Sequence, residues 1–273
     1  LHQNARGMQV DIEDVSERVA SLSLQGPLSR VILEQAIGRD LGSLKYFRLT
    51  NATIGDVAVV ISRTGYTGDL GYEVWMDATH ALPVWDALMA QGKPYGITPA
   101  GMLALDIARI EAGLILLDVD YVSARKALIP GQLPPRSELR LRWTVWINKP
   151  PFNGKQALAR EKTEGPTWSL MGLEIDWLTL EPLYENMGLA PRVAAVASRV
   201  SVPVYDGSKQ VGYATSSTWS PLLKRYIALA HLEASAARPG KTLEFEITVE
   251  HRRKRAEARV RKLPFYDPPR KRA

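Results

Sequence analysis

The stretch SRTGYTGDLGYEVW, residues 62–75, spaces three glycines three residues apart between two apolar runs. A dinucleotide-binding loop needs G-x-G-x-x-G at a strand-to-helix junction, because the pyrophosphate sits on a helix N-terminus. Here the spacing is G-x-x-G-x-x-G and the chain continues as a strand. A Walker loop needs Gly-Lys-Ser/Thr opening a helix, which is absent. What remains is a β-hairpin whose glycines supply positive φ. Alternation in its second strand puts Tyr72 and Val74 on one face and Glu73 with Trp75 on the other. With Trp75 buried, Glu73 points into a semi-apolar place, where a carboxylate needs partners. A protein Lys or Arg, exposure to water, or a ligand with two adjacent N–H donors would each meet that need.

Working outward, residues 19–24 alternate like a strand, and Pro27 opens a helix that runs to Ile37. Residues 57–62 and 72–76 are the strands of the hairpin. Thr79 is placed to cap a helix with Leu82, Trp85, Leu88 and Met89 on its apolar face, ending near Gly92 and Pro94. A further helix opens at Thr98-Pro99 and closes at Gly113, with Leu103, Ile107 and Ile110 as its stripe. Pro134-Pro135, Pro150-Pro151 and Gly165-Pro166 then break the chain into loops. From Ser169 on, strand-like stretches follow at 170–175, 200–205, 210–215, 226–230, 243–249 and 256–263, the pattern of a small barrel or sandwich. The fold expectation is α+β: a mixed α/β domain over 1–165 and a small C-terminal β-barrel over 166–273.

Composition narrows the chemistry. The 273 residues are 45% hydrophobic and 23% charged, the mix of a globular protein, with no apolar run long enough to span a bilayer. The absence of cysteine excludes disulfides, thiolate nucleophiles and Cys-based metal sites. His2, His80, His231 and His251 show no metal-ligand spacing and are read as surface or packing residues. The net charge of +6 is a C-terminal feature, since ten Lys/Arg and two acidic residues lie between His251 and Ala273. There Glu257, Arg259 and Arg261 alternate with small or apolar residues, which is the polar face of a strand, so no nucleic-acid or membrane partner is expected. The chain opens Leu-His-Gln-Asn, without Met or a signal-peptide pattern. This reads as an N-terminally truncated piece of a cytoplasmic protein.

Several motifs together resemble the aminomethyltransferase family, of which the glycine cleavage T-protein is the type. The hairpin is one. Ser23-Leu24-Gln25-Gly26-Pro27 resembles the family's ALQGP, and the segment from Ala104 to Gly113 its ARDSLRLEAG helix. Residues 152–158, FNGKQAL, residues 212–229, GYATSSTWSPLLKRYIAL, and residues 262–266, KLPFY, are similar to later family motifs in family order. The resemblance implies a tetrahydrofolate-dependent one-carbon transferase, taking a methylene or methyl group from an amine-type donor, carried on a small molecule or on a lipoylated carrier protein. Demethylation of O-, S- or N-methyl compounds and folate binding without turnover are the alternatives it leaves.

The resemblance also implies residue roles. Glu73 falls at the pterin-binding position, where a carboxylate accepts from the ring's N3–H and 2-amino group. Tyr66 falls beside the folate and Arg270 near its glutamyl carboxylates. The family's catalytic aspartate lies before the ALQGP segment, so no catalytic residue is assigned. Leu105 stands where the family has an arginine contacting folate, and there the chain is closer to the folate domains of dimethylglycine and sarcosine dehydrogenases. On spacing, Arg109 pairs with Asp106 on one helix face, and Asp120 reads as a turn cap. Trp219 belongs to the barrel core or walls a pocket.

Overall fold

The computed structural model describes residues 5–129, 132, 137–193 and 196–272; His2 and the Pro134-Pro135 break lie outside them. The chain divides into two compact units, residues 1–99 with 268–273, and residues 100–267.

The first unit holds β1 (Val19–Gln25), α1 (Ser29–Ile37), β2 (Leu49–Ile54), β3 (Val57–Ser62), β4 (Gly71–Asp77) and α2 (Ala81–Gly92). The strands form an antiparallel sheet in the order β1-β4-β3-β2. Its buried face contributes Leu24, Ile61, Tyr72, Val74 and Met76, which pack against Ile32 and Leu33 of α1 and Val84 and Leu88 of α2. The buried face of α2 therefore runs through Val84 and Leu88. Leu82 and Trp85, expected inside, are 67% and 39% exposed. The shift has a local cause: Asp77, rather than Thr79, caps a 3-10 turn at Ala78–His80 by accepting from the Thr79 N–H at 2.9 Å, and α2 starts only after that turn.

The glycines of the hairpin divide their work. Of the three, only Gly68 has positive φ, at 78°. At Gly65 and Gly71 a Cβ would sit 2.0 and 1.9 Å from the Gln25 Oε1. The Gln25 side chain lies in the space these two residues leave. Its amide donates to the Thr64 and Tyr72 carbonyls at 3.3 Å each, and its Oε1 accepts from the Thr67 hydroxyl at 3.2 Å. Turn chemistry predicts positive φ at all three positions; two of them supply room instead.

Residues 268–272 belong to the same unit. Buried Arg63 donates to the carbonyls of Leu44, Arg270 and Lys271, while Lys271 stands 5.8 Å from the Tyr46 ring centroid. Burial lowers the Arg63 pKa from its ordinary value.

The second unit begins with α3 (Met102–Glu111), ended by Gly113 at φ 65°, with the Leu114 N–H reaching back to the Arg109 carbonyl at 2.8 Å. The helix opens later than expected, at Gly101, and Leu103 is 62% exposed. Its buried face is mostly polar: Asp106, Arg109 and Glu111 beside Ile110. After α4 (Lys155–Glu164) come β5 (Trp168–Ile175), α5 (Trp177–Glu185), β6 (Val202–Asp206), β7 (Lys209–Ser220), β8 (Arg225–Glu233), β9 (Thr242–Val249) and β10 (Arg252–Arg261). The six strands close a barrel in the order β10-β5-β8-β7-β6-β9. Its interior combines Leu173, Ile175, Val204, Leu243 and Phe245 with the small residues Ala228, Ala230, Ala256 and Ala258, as a narrow barrel requires. Leu180 and Tyr184 of α5 join that core. The chain is thus α+β with a small C-terminal barrel.

The Gln25 packing has a measurable energy. Gly71→Ala forces the Gln25 amide out of its place, and the cost is about 1–3 kcal/mol, as for other overpacked sites. Urea unfolding measures it. Gln25→Ala in the same chain removes the clash, so the double variant loses less than the two single losses added together.

Candidate functional site

Glu73 lies on the open face of the first unit's sheet, between Ser23 of β1 and Ser62 of β3 in the strand register. The Thr64 hydroxyl donates to its Oε2 at 2.6 Å and the Ser62 hydroxyl lies 3.4 Å from the same oxygen. Ser62 and Thr64 are themselves 2.9 Å apart, and the Trp75 indole N–H meets Ser62 at 3.4 Å. The carboxylate is half-buried. Among the described residues no Lys, Arg or His stands within ion-pair distance of it, and Oε1 has no hydrogen-bond partner. Neither a protein cation nor full exposure, two of the three outcomes that spacing allows, describes this group. Trp75 is 41% exposed rather than buried, so the environment is set by hydroxyls and not by an apolar wall.

Tyr66 is half-buried in the glycine loop, two residues after Thr64. Arg270 is attached to the same loop: its Nε and Nη2 donate to the two oxygens of Asp69, each at 2.7 Å. That bidentate fork engages the cation with a protein carboxylate. Thr64 and Ser62, which hold Glu73, and Gln25, which holds the loop, are residues around this candidate site whose contacts motif reading passes over. A signal for Ser62 exists, since a hairpin turning near Gly68 brings it opposite Glu73.

In the second unit the motif residues Arg109 and Asp120 meet in a buried network. Arg109 is 1% exposed and donates to Asp106 Oδ1 at 2.8 Å, to Asp120 Oδ2 and to the Ser216 hydroxyl at 2.8 Å. Asp120 Oδ2 also accepts from the Leu116 N–H at 2.8 Å, and its Oδ1 accepts from Ser216 at 2.7 Å and from Thr215. The His231 Nε2 donates to the Asp120 carbonyl at 2.7 Å, and Arg199 covers Asp106 Oδ2 at 2.8 Å. Asp106 with Arg109 is the helix pair expected from spacing. Asp120 does cap its turn, and in addition ties that turn to β7 and β8. Every member is satisfied within the protein, so the network holds structure. Trp219 is half-buried and packs edge to face on Trp177, centroids 5.4 Å apart, along the wall of a cavity.

Together, fold and site define an α+β protein that has both a hairpin-borne, hydroxyl-held carboxylate and a small closed barrel. The comparisons with known proteins give that class a family. A family model described as the GCVT N-terminal domain matches residues 1–129, and one described as the glycine cleavage T-protein C-terminal barrel domain matches residues 186–267. An aminomethyltransferase of Desulforamulus reducens is 34% identical over 257 residues, covering 94% of this chain and 62% of the relative. One of Moorella thermoacetica is 35% identical over 271 residues, covering 99% and 66%. The crystal structure of the glycine cleavage system aminomethyltransferase T from Bartonella henselae matches with a TM-score of 0.70 at 22% identity, over 91% of this chain and 60% of that one. The chain belongs to the glycine cleavage T-protein family, and it spans less than two thirds of the length of these relatives.

The buried network is directly testable. Arg109→Ala strands Asp106 and Asp120 beside each other without their shared cation, at a cost of about 3–5 kcal/mol. Arg109→Lys keeps the charge but not the three-way fork, so its denaturation midpoint also stays well below that of the parent.

Proposed function

We propose that this chain is the folate-binding and barrel part, residues 1–165 and 166–273, of a tetrahydrofolate-dependent one-carbon transferase. It accepts a methylene or methyl group from an amine-type donor, with either a small molecule or a lipoylated carrier protein as the donor's bearer. The observation that carries the reading is the state of Glu73: half-buried, held at one oxygen by Thr64 and Ser62, without a cation, and with Oε1 open. Such a group fits a ligand presenting two adjacent N–H donors, as a pterin ring does.

In this reading the chain's residues bind and orient. Glu73 accepts both N–H groups, and the Thr64 hydroxyl fixes its rotamer beforehand, so little side-chain freedom is lost on binding. Tyr66 offers an aromatic face from the same loop. Arg270, held by Asp69, places positive charge beside the loop for the ligand's carboxylates. Tetrahydrofolate, when bound, supplies the nitrogen that takes up the one-carbon unit. Among the described residues no helix is long and apolar enough to cross a membrane.

Calorimetric titration of the chain with tetrahydrofolate tests the reading. Glu73→Ala leaves two ligand donors unmatched and weakens binding by roughly 10- to 100-fold. Thr64→Val, which frees the carboxylate without removing it, weakens binding less. Absence of binding, or affinity unchanged by Glu73→Ala, would sink the assignment.

A further inference from the structure

The barrel unit carries a cavity of about 660 Å³, well within the size range of small-molecule sites. Part of its wall is aromatic. Trp177, the first residue of α5, meets Trp219 of β7 at an interplanar angle of 68°, and Tyr226 of β8 lines the same space. Both indoles are half-buried and reach the cavity.

The rest of the wall is charged, with its charges unevenly matched. Glu174 accepts from Arg225 and from Arg261, the latter at 2.7 Å. Burial by itself raises the Glu174 pKa, but the two guanidinium groups outweigh it and hold the carboxyl below its ordinary value. One carboxylate thus serves two arginines. Asp176 is occupied at the start of α5, accepting from the Leu178 N–H at 2.9 Å. Lys224 and Arg259 also line the cavity, and among the described residues neither makes an ion pair or a side-chain hydrogen bond. Arg259 sits on the outward face of β10, in cross-strand register with Glu174, whose oxygens are already taken. Among the described residues Glu257, like Asp176, lines the cavity without a cation. It is exposed, and the Arg255 that neutralises its cross-strand neighbour Glu244 points to that neighbour instead.

We propose that this cavity binds an aromatic anion, its ring against the Trp177–Trp219 pair and its carboxylate or phosphate group toward Arg259 and Lys224. A ring edge or face packs on the indoles, and an anion gains from two cations that have no ion-pair partner among the described residues. None of these residues depends on the role given to Glu73.

The test is calorimetric titration of the chain with adenosine monophosphate and with indole-3-acetate, inorganic phosphate serving as the anion without a ring. Both ring-bearing anions bind, and phosphate binds at least about tenfold more weakly. Arg259→Ala, on an exposed strand face where folding is unaffected, weakens both by about tenfold, as does Trp219→Ala, while Glu73→Ala leaves them unchanged. No binding of either ring-bearing anion overturns the proposal. So does binding that Arg259→Ala leaves intact, or that Glu73→Ala abolishes.

Discussion

The side chain of Gln25, lodged against the backbones of Gly65 and Gly71, is the contact on which the geometry of the first unit depends. It joins the end of β1 to both ends of the glycine loop through the Thr64 and Tyr72 carbonyls. Those two residues flank the loop, so one amide sets where the loop leaves β3 and where β4 begins. Thr64 is thereby brought to Glu73, and the register Ser62 opposite Glu73 is held. A side chain at either glycine position would remove the amide and with it the constraint on Thr64. In this chain the Leu24-Gln25-Gly26-Pro27 segment and the glycine loop are therefore two halves of a single contact.

The second unit solves a comparable problem with charge. The turn after α3 must be fastened to a barrel whose outer strand faces are partly polar, and Arg109 does this with three donors in one plane. Asp106 on its own helix, Asp120 in the turn and Ser216 on β7 each take one. An apolar side chain there would leave Asp120 buried with neutral donors alone and Asp106 with only Arg199. Beside this network Ile110 packs with Leu170, Ile227 and Leu229, so polar and apolar contacts fasten the same helix.

What is legible in the sequence follows the strength of local pattern. β1, β3, β4 and β10 alternate with period two because one face of each is buried, whereas β5, β7 and β8 are buried on both faces over runs of four or more residues and are legible as apolar or small-residue stretches instead. β2 escapes notice because it is an edge strand whose Asn51, Thr50 and Thr53 carry little apolar signal and whose Leu49 is 66% exposed. α5 escapes it because it is short, carries Pro182 and interrupts a run of strands. On α2 and α3 the difference is in facing rather than existence. Leu82, Trp85 and Leu103 are apolar but point outward, while the buried side of α3 carries Asp106, Arg109 and Glu111, whose burial depends on partners a hundred residues away. Glu73 is legible as a group needing partners. Its actual partners, two hydroxyls, are not, because they depend on the loop geometry that Gln25 sets.

The two buried or half-buried carboxylate sites differ in one respect that bears on function. Asp120 has donors from the protein on both oxygens, and so does Asp106; nothing about either calls for a further ligand. Glu73 has its hydroxyl donors on Oε2, and Oε1 has none among the described residues. A carboxylate kept partly out of water normally gathers every donor within reach, since leaving one lone-pair set unmatched costs stability. The chain instead surrounds Glu73 with neutral hydroxyls that orient it and places its arginines elsewhere, Arg63 on backbone carbonyls and Arg270 on Asp69. A cation beside Glu73 would satisfy it and close it to a neutral donor pair. Orientation without neutralisation is the arrangement a neutral two-donor ligand requires, and on that physical ground Glu73, rather than the more deeply buried acids, is the candidate for recognition.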